Sequence, residues 1–250
     1  MDNLGESLQG KKVLVTGAGG FIGSHLTERL VELGARVRAL VRYNSRNDHG
    51  LIELIDFRVR KEIEVIRGDL RDFETVWKTV KGQNVVFHLG AQVSIPYSYL
   101  HPTEVVQTNI MGTLNVMNAA KECQPQLIVH TSSSEVYGTA QYVPIDENHP
   151  LQGQSPYSAS KIGADKIAES FQRSFDLPVV TLRPFNTYGP RQSARAVTPT
   201  IIVQALLQDK VYLGSLHPTR DLTYVADIVD GFISVTERQN LIGEVINIGS

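Results

Sequence analysis

Short runs of β-branched and aliphatic residues alternate along the chain with longer stretches in which apolar positions recur every three or four residues. The first kind marks a strand buried on both faces, the second a helix with one face on a core. The pattern predicts strands over 12–16, 36–41, 62–66, 85–89, 126–131 and 179–183. It predicts helices over 21–33, 73–80, about 102–122 and about 156–175. Such alternation builds βαβ units and a parallel sheet between helix layers, an α/β architecture.

Past Arg183 the texture changes. A loop rich in proline, glycine and arginine over 184–195 leads into shorter elements, and 244–250 reads as one more strand followed by a glycine turn. The expected organisation is a domain over 1–183, which carries most of the sheet and the helix over 156–175, with a smaller lobe over 184–250 interleaved with it. A strand and glycine turn normally lead into another element, so that lobe is expected to be partial. Two polar connections, 43–50 and 139–155, exceed the usual length in α/β units and are expected to cover a site.

Composition narrows the partners. A chain of 250 residues with 42% hydrophobic content can bury a full core. The formal net charge is -2 with both signs interspersed, so neither nucleic acid nor a membrane surface is expected as a partner. The single cysteine, Cys123, cannot pair within the chain, and neither a charged-then-apolar leader nor a run of about twenty apolar residues occurs. These features point to a reducing, cytoplasmic compartment.

The chemistry begins where the first strand meets the first helix. Val15 and Thr16 run into Gly17, Ala18, Gly19, Gly20, Phe21, Ile22 and Gly23, which join a buried strand to an apolar helix start. Glycines there let the backbone approach a pyrophosphate, which the amides and the helix N-terminus then hold. A plain strand-to-helix turn is the other reading, but the required strand and helix flank these glycines. A cofactor of the NAD(P) kind is expected. An NAD-binding version should place a carboxylate after the second strand, whereas this chain offers Arg42, whose guanidinium suits a 2′-phosphate and tilts the expectation to NADP. An ordinary solvated charge is the alternative for Arg42. Asp69 suits an adenine amino group or a helix cap, and Gly90 and Ala91 are small where a dinucleotide would pass. His88 and His130 read as core histidines, and no metal is expected.

Tyr157 and Lys161 open a predicted helix and share one face, a turn apart. A free tyrosine is a poor base at neutral pH unless a nearby cation favours the phenolate, and Lys161 offers that cation. The strand over 126–131 runs out into Thr131, Ser132, Ser133, Ser134 and Glu135, which sets hydroxyls and a carboxylate at the sheet edge where ligands bind. Ser133 suits the hydroxyl being oxidised and Glu135 a second acid or base. A serine-rich cap with an exposed glutamate is the plainer reading.

Together the glycine turn, Gly68-Asp69-Leu70, Asn109 with Gly112-Thr113, Ser133 to Gly138, Tyr157 with Lys161, and Arg183 to Arg191 resemble the NAD-dependent epimerase/dehydratase branch of the extended short-chain dehydrogenase/reductases. The resemblance covers essentially the whole chain. It implies a Rossmann-like doubly wound sheet with a smaller C-terminal substrate lobe, and nucleotide-activated sugars as substrates. It carries Phe21, Ile22, Leu70 and Pro184 over to the cofactor, and Asn109, Asn186, Arg191 and Arg220 to the substrate. Helices ending near Glu122 and beginning near Tyr157 would pack against a second subunit, so a homodimer is implied.

Within that branch, Glu135 and the stretch from Tyr137 to Tyr157 most resemble the 4,6-dehydratases that open legionaminic-acid-type sugar pathways, whose substrate is a nucleotide-linked N-acetylglucosamine. The deoxythymidine-glucose dehydratases carry Asp where Ser134 stands, so at that catalytic position the chain is closer to the GDP-mannose dehydratase pattern. The implied cycle has Tyr157 take the proton of the sugar 4-hydroxyl, oriented by Ser133, while the C4 hydride moves to a tightly bound NAD(P). Glu135 then removes the C5 hydrogen, water leaves from C6, and the hydride returns there. A 4-epimerase or UDP-glucuronate decarboxylase would share Ser133, Tyr157 and Lys161. A non-catalytic NAD(P)-binding protein is disfavoured by the intact Tyr157, Lys161 and Glu135.

Overall fold

A computed structural model describes residues 4–217 and 219–249. Seven parallel strands form one sheet: β1 (Lys12–Thr16), β2 (Arg36–Arg42), β3 (Glu64–Gly68), β4 (Val85–His88), β5 (Leu127–Thr131), β6 (Val179–Pro184) and β9 (Val245–Ile248). Their order is β3-β2-β1-β4-β5-β6-β9, so the winding reverses between β1 and β4. A crevice opens outside the carboxyl ends of the strands at such a reversal.

Strand alternation divides the core in two. Val13 and Val15 of β1 face one way and pack with Phe87, Ile228 and Phe232 under α1 (Phe21–Glu32) and α9 (Val225–Ser234). Leu14 faces the other way, with Val86, Val116, Met117, Ile128 and Phe171. That second layer is roofed by α3 (Phe73–Val80), α6 (Gly112–Cys123) and α7 (Pro156–Phe175). Ser155 starts α7 with a reciprocal capping box to Ser158, and Pro156 occupies the first turn, where its missing N–H costs nothing.

Short elements fill the connections: α2 (Phe57–Arg60), α4 (Ile95–Leu100) and α5 (Pro102–Val106). The single helix expected over about 102–122 is α5 and α6 joined by a π turn at Gln107–Met111. The strand expected over 62–66 begins two residues later, because Ile63 still closes a turn onto Arg60 (N to O, 3.1 Å).

Beyond β6, β7 (Asn186–Tyr188) and β8 (Leu222–Tyr224) form a separate parallel pair, and α8 (Val197–Leu207) lies between them in sequence. The part read as a lobe returns α9 and β9 to the main sheet, with β9 pairing β6. Ser250 lies outside the described residues. Of the two connections expected to cover a site, 43–50 does so and 139–155 does not line the cavity. The latter closes on itself through His149, which is 2% exposed and accepts from the Gln141 amide, and is tied to β9 by Glu147, which accepts from the Asn247 amide at 2.7 Å.

Candidate functional site

A cavity of about 690 Å³ runs along the carboxyl ends of β1, β2, β4 and β5. Its floor is the glycine turn. Gly17 has φ +72°, and a Cβ there would lie 2.7 Å from the Gly90 nitrogen; a Cβ on Gly23 would lie 2.2 Å from the Gly17 carbonyl oxygen. These glycines therefore bring β1, β4 and α1 together as well as clearing the backbone for a ligand. No side chain caps the N-terminus of α1, whose N-cap is Gly20, so its first amides face the cavity unblocked. The connection 43–50 folds over this turn, with the Leu51 amide bonded to the Gly19 carbonyl at 2.9 Å. A cradle that side chains would fill, beside an open helix N-terminus, fits the pyrophosphate of a dinucleotide.

Every residue expected to touch the cofactor lines this cavity: Gly17, Gly20, Phe21, Ile22 and Gly23 from the turn, Arg42 at the end of β2, Asp69 and Leu70 just after β3, and Ala91, Tyr157, Lys161 and Pro184 beyond. Charge at the β2–β3 end is already paired. Arg42 reaches Glu104 of α5 (Nη2 to Oε1, 3.1 Å), and Tyr97 also donates to Glu104. The Tyr97 hydroxyl, followed by Arg42, holds the Glu104 carboxyl below its ordinary range. Asp69 is gripped by Arg71 through Nε and Nη2 at 2.9 and 2.6 Å. The helix cap considered for Asp69 falls to Asp72, which accepts from the Glu74 amide.

At the other end stand Ser133, Tyr157 and Lys161, all lining the cavity. Tyr157 is 6% exposed and Lys161 4%. Burial pushes the Tyr157 phenol up to about 12, against a hydrogen bond from Ser133 that favours the phenolate; the charge of nearby Glu135 pushes it further up. Burial also brings Lys161 down to about 8. Its ammonium donates to the Thr131 carbonyl at 2.6 Å, so the phenol is not drawn down by Lys161 as the spacing of four suggested.

Six expected residues stand outside the cavity wall. Ser134 and Glu135 form the first turn of a 3-10 helix at Ser134–Tyr137, where Ser133 caps the Glu135 amide. Asn109, expected on the substrate, is 1% exposed and spends its amide on Gln92 (2.7 Å from the backbone nitrogen) and Ser160 (2.9 Å). The π turn is the cause: it turns Thr108 to the cavity and Asn109 into the core. Asn186 gives way to its neighbours Phe185 and Thr187 as lining residues. Arg191, also expected on the substrate, has φ +65° and pairs with Glu28 of α1 at 2.6 Å.

The last expected substrate residue, Arg220, is exposed and bonds its own neighbour's carbonyl, Thr219, at 2.8 Å, also off the cavity wall.

His88 is a core histidine with a fixed tautomer. Thr113 gives its hydroxyl proton to the Asn109 carbonyl, so it accepts from His88 Nε2 at 3.1 Å; Nδ1 then accepts from Thr16 Oγ1 at 2.8 Å. Burial holds the ring neutral, its pKa well below the usual value. Among the described residues no group of His, Cys, Asp or Glu could hold a metal. No helix among them is long and apolar enough to cross a membrane. Asp165, Arg183 and Glu104 are ionic partners at the site that sequence reasoning did not assign; one signal was present for Asp165, the continuation of the Tyr157–Lys161 spacing by four.

The family model described as GDP-mannose 4,6 dehydratase matches residues 14–250. A dTDP-D-glucose 4,6-dehydratase from Homo sapiens is 31% identical over 245 residues, 96% of this chain and 69% of that protein. A UDP-N-acetylglucosamine 4-epimerase from Methanobrevibacter ruminantium, solved with UDP-N-acetylmuramic acid, superposes with TM-score 0.87 at 32% identity, covering 96% of this chain and 77% of that one. A dTDP-glucose 4,6-dehydratase from Streptomyces venezuelae, solved with NAD bound, superposes with TM-score 0.86 at 28% identity, covering 95% and 75%. With the glycine cradle at the winding reversal and Ser133, Tyr157 and Lys161 converging on one cavity, these matches establish that the chain belongs to the NAD-dependent epimerase/dehydratase family of extended short-chain dehydrogenase/reductases.

Proposed function

We propose that the protein is an NAD-dependent nucleotide-sugar 4,6-dehydratase acting on an NDP-N-acetylhexosamine. The observation that carries this reading is the carboxylate of Glu135 beside the hydrogen-bonded Ser133 and Tyr157, close enough for its charge to act on the phenol. An epimerase needs one acid–base group at C4, whereas a dehydratase needs a second for the adjacent carbon. A bound nicotinamide supplies the acceptor for the C4 hydrogen and gives it back within the cycle. Tyr157 accepts the proton of the 4-hydroxyl, and Ser133 orients that hydroxyl. Glu135 then removes the proton from C5, which the 4-ketone has acidified, and delivers it to the departing 6-hydroxyl; as the hydrogen returns to C6, C5 regains a proton, balanced by the one Tyr157 took from the 4-hydroxyl.

NAD is preferred here to the NADP expected from Arg42 because Glu104, itself held by Tyr97, already engages that guanidinium. A 2′-phosphate would have to displace a carboxylate to reach it. Exposed Val106 and Met111 on the helix running from α5 into α6 support the homodimer expectation.

A 4-epimerase is the second reading, favoured by Glu135 standing off the cavity wall and by the similarity to the UDP-N-acetylglucosamine 4-epimerase. Incubation with UDP-N-acetylglucosamine, GDP-N-acetylglucosamine and UDP-glucuronate, followed by mass analysis, separates the readings. Loss of one water supports the dehydratase. Unchanged mass with inverted C4 makes the protein an epimerase, and loss of carbon dioxide makes it a decarboxylase.

A further inference from the structure

Beneath the Tyr157–Lys161 pair lies a buried set of charges that the proposed reaction does not use. Asp165 follows Lys161 by one turn of α7 and is 5% exposed. Its Oδ1 accepts from His130 Nε2 at 3.1 Å, and its Oδ2 accepts from Ser132 Oγ at 2.7 Å and from Arg183 Nη2 at 3.3 Å. His130 Nδ1 has no partner, so the ring's proton is the one given to Asp165. Arg183 is itself 5% exposed, and its Nη1 donates to the Tyr137 hydroxyl, which donates in turn to Asn247 on β9.

A buried ion pair seldom gains stability over apolar packing; what three directed donors fix is a position. Here the contacts gather at the end of β5. The Thr131 carbonyl takes the Lys161 ammonium, the Ser132 hydroxyl goes to Asp165, and the Ser133 hydroxyl goes to Tyr157. Three consecutive residues of one segment thus seat three consecutive turns of one helix face.

We propose that Asp165 is the positioning residue of this site: held by Ser132, His130 and Arg183, it seats α7 on the end of β5 and supplies the anion that keeps Lys161 charged. The inference rests on the reading of Tyr157 and Lys161 as the catalytic pair. The ionisable groups around Lys161 are Tyr157 and Asp165 on α7, His88 on β4 and His130 on β5, with Arg183 of β6 behind Asp165. Burial drives the lysine down, and Asp165 is the neighbour that opposes it. His88 and His130 are held neutral by burial, and burial likewise draws Asp165 upward, but the His130 hydrogen bond, with the charges and Ser132 around it, holds the carboxyl below the ordinary range.

The test follows the Lys161 side chain in the full chain by NMR of ¹³C-labelled lysine, with the signal assigned by its loss in Lys161→Met. In Asp165→Asn the Lys161 midpoint is expected to fall by about one unit or more, and the alkaline limb of turnover on UDP-N-acetylglucosamine to move to lower pH with it. Asp165→Glu keeps the charge on a longer arm: the midpoint is expected to stay with the wild type while kcat falls about tenfold at unchanged KM. An unchanged midpoint in folded Asp165→Asn overturns the inference. Wild-type kcat at every pH in Asp165→Glu overturns it too, and decides the matter where Asp165→Asn does not fold. Because the titration needs no substrate, full turnover in Tyr157→Phe would remove the catalytic reading while leaving the Asp165–Lys161 coupling standing.

Discussion

Gly17 and Gly90 meet so closely that a Cβ on Gly17 would stand 2.7 Å from the Gly90 nitrogen. The crossing joins the ends of β1 and β4 at the winding reversal, under the cavity. Gly17→Ala therefore carries two penalties, the left-handed φ and a backbone clash. Gly82 has nearly the same φ, +75°, with nothing within 4 Å of a Cβ. We predict that Gly82→Ala costs about 1 kcal/mol of stability and leaves cofactor affinity untouched. Gly17→Ala is predicted to cost several-fold more and to lose NADH binding, read by thermal melts and by fluorescence titration. Equal effects of the two substitutions would remove the role given to the crossing.

Lys161 titrates near 10.5 in an unfolded chain and near 8 in the folded one. The folded state holds that proton less tightly, so Lys161 costs stability below about pH 8, and the cost is relieved as pH rises from about 8 to 10.5. Its full size is about 3 kcal/mol. Lys161→Met is predicted to raise Tm at pH 7, with a gain that shrinks above pH 8, while turnover is lost. A lower Tm at pH 7 would show that the ammonium is a net stabiliser through Thr131.

The legible parts of this protein are those that local pattern decides. The bounds of β1, α3 and α7 follow from periodicity and from Ser155-Pro156, and the cofactor-lining residues follow from glycines that flank a strand and a helix. The substrate residues were less legible because their placement depends on tertiary partners. A π turn turns Asn109 inward, and Glu28, distant in sequence, takes Arg191. Asp165 reads in sequence as a polar position on an amphipathic helix; only the arrival of Ser132 and Arg183 from β5 and β6 makes it a buried ion.

Arg42 and Glu104 bear on cofactor choice. Removing the Glu104 charge leaves the Arg42 guanidinium without its carboxylate at the β2 edge of the cavity, where a 2′-phosphate would find it. Glu104→Gln is predicted to improve NADPH affinity relative to NADH by about fivefold, a modest change because the pair is solvent-exposed. Tyr97→Phe, which removes only the second ligand of Glu104, is predicted to shift the ratio less. Fluorescence titration with both nucleotides reads the ratio, and an unaltered preference in Glu104→Gln would mean that Arg42 does not contact that end of the cofactor.

Glu135 separates the two reactions that the family supports. Its amide is capped by Ser133, so the residue that orients the sugar hydroxyl also fixes the start of the turn carrying the carboxylate. In a dehydratase, Glu135→Gln leaves the C4 step intact, since Tyr157 and Ser133 remain, and stops the cycle before water is lost. The variant should then accumulate reduced nicotinamide on mixing with UDP-N-acetylglucosamine, seen as absorbance near 340 nm, and should incorporate no solvent deuterium at C5. In an epimerase the same substitution leaves turnover within a few-fold of wild type, because no proton moves at C5. Rapid deuterium entry in Glu135→Gln would place the C5 base on another residue.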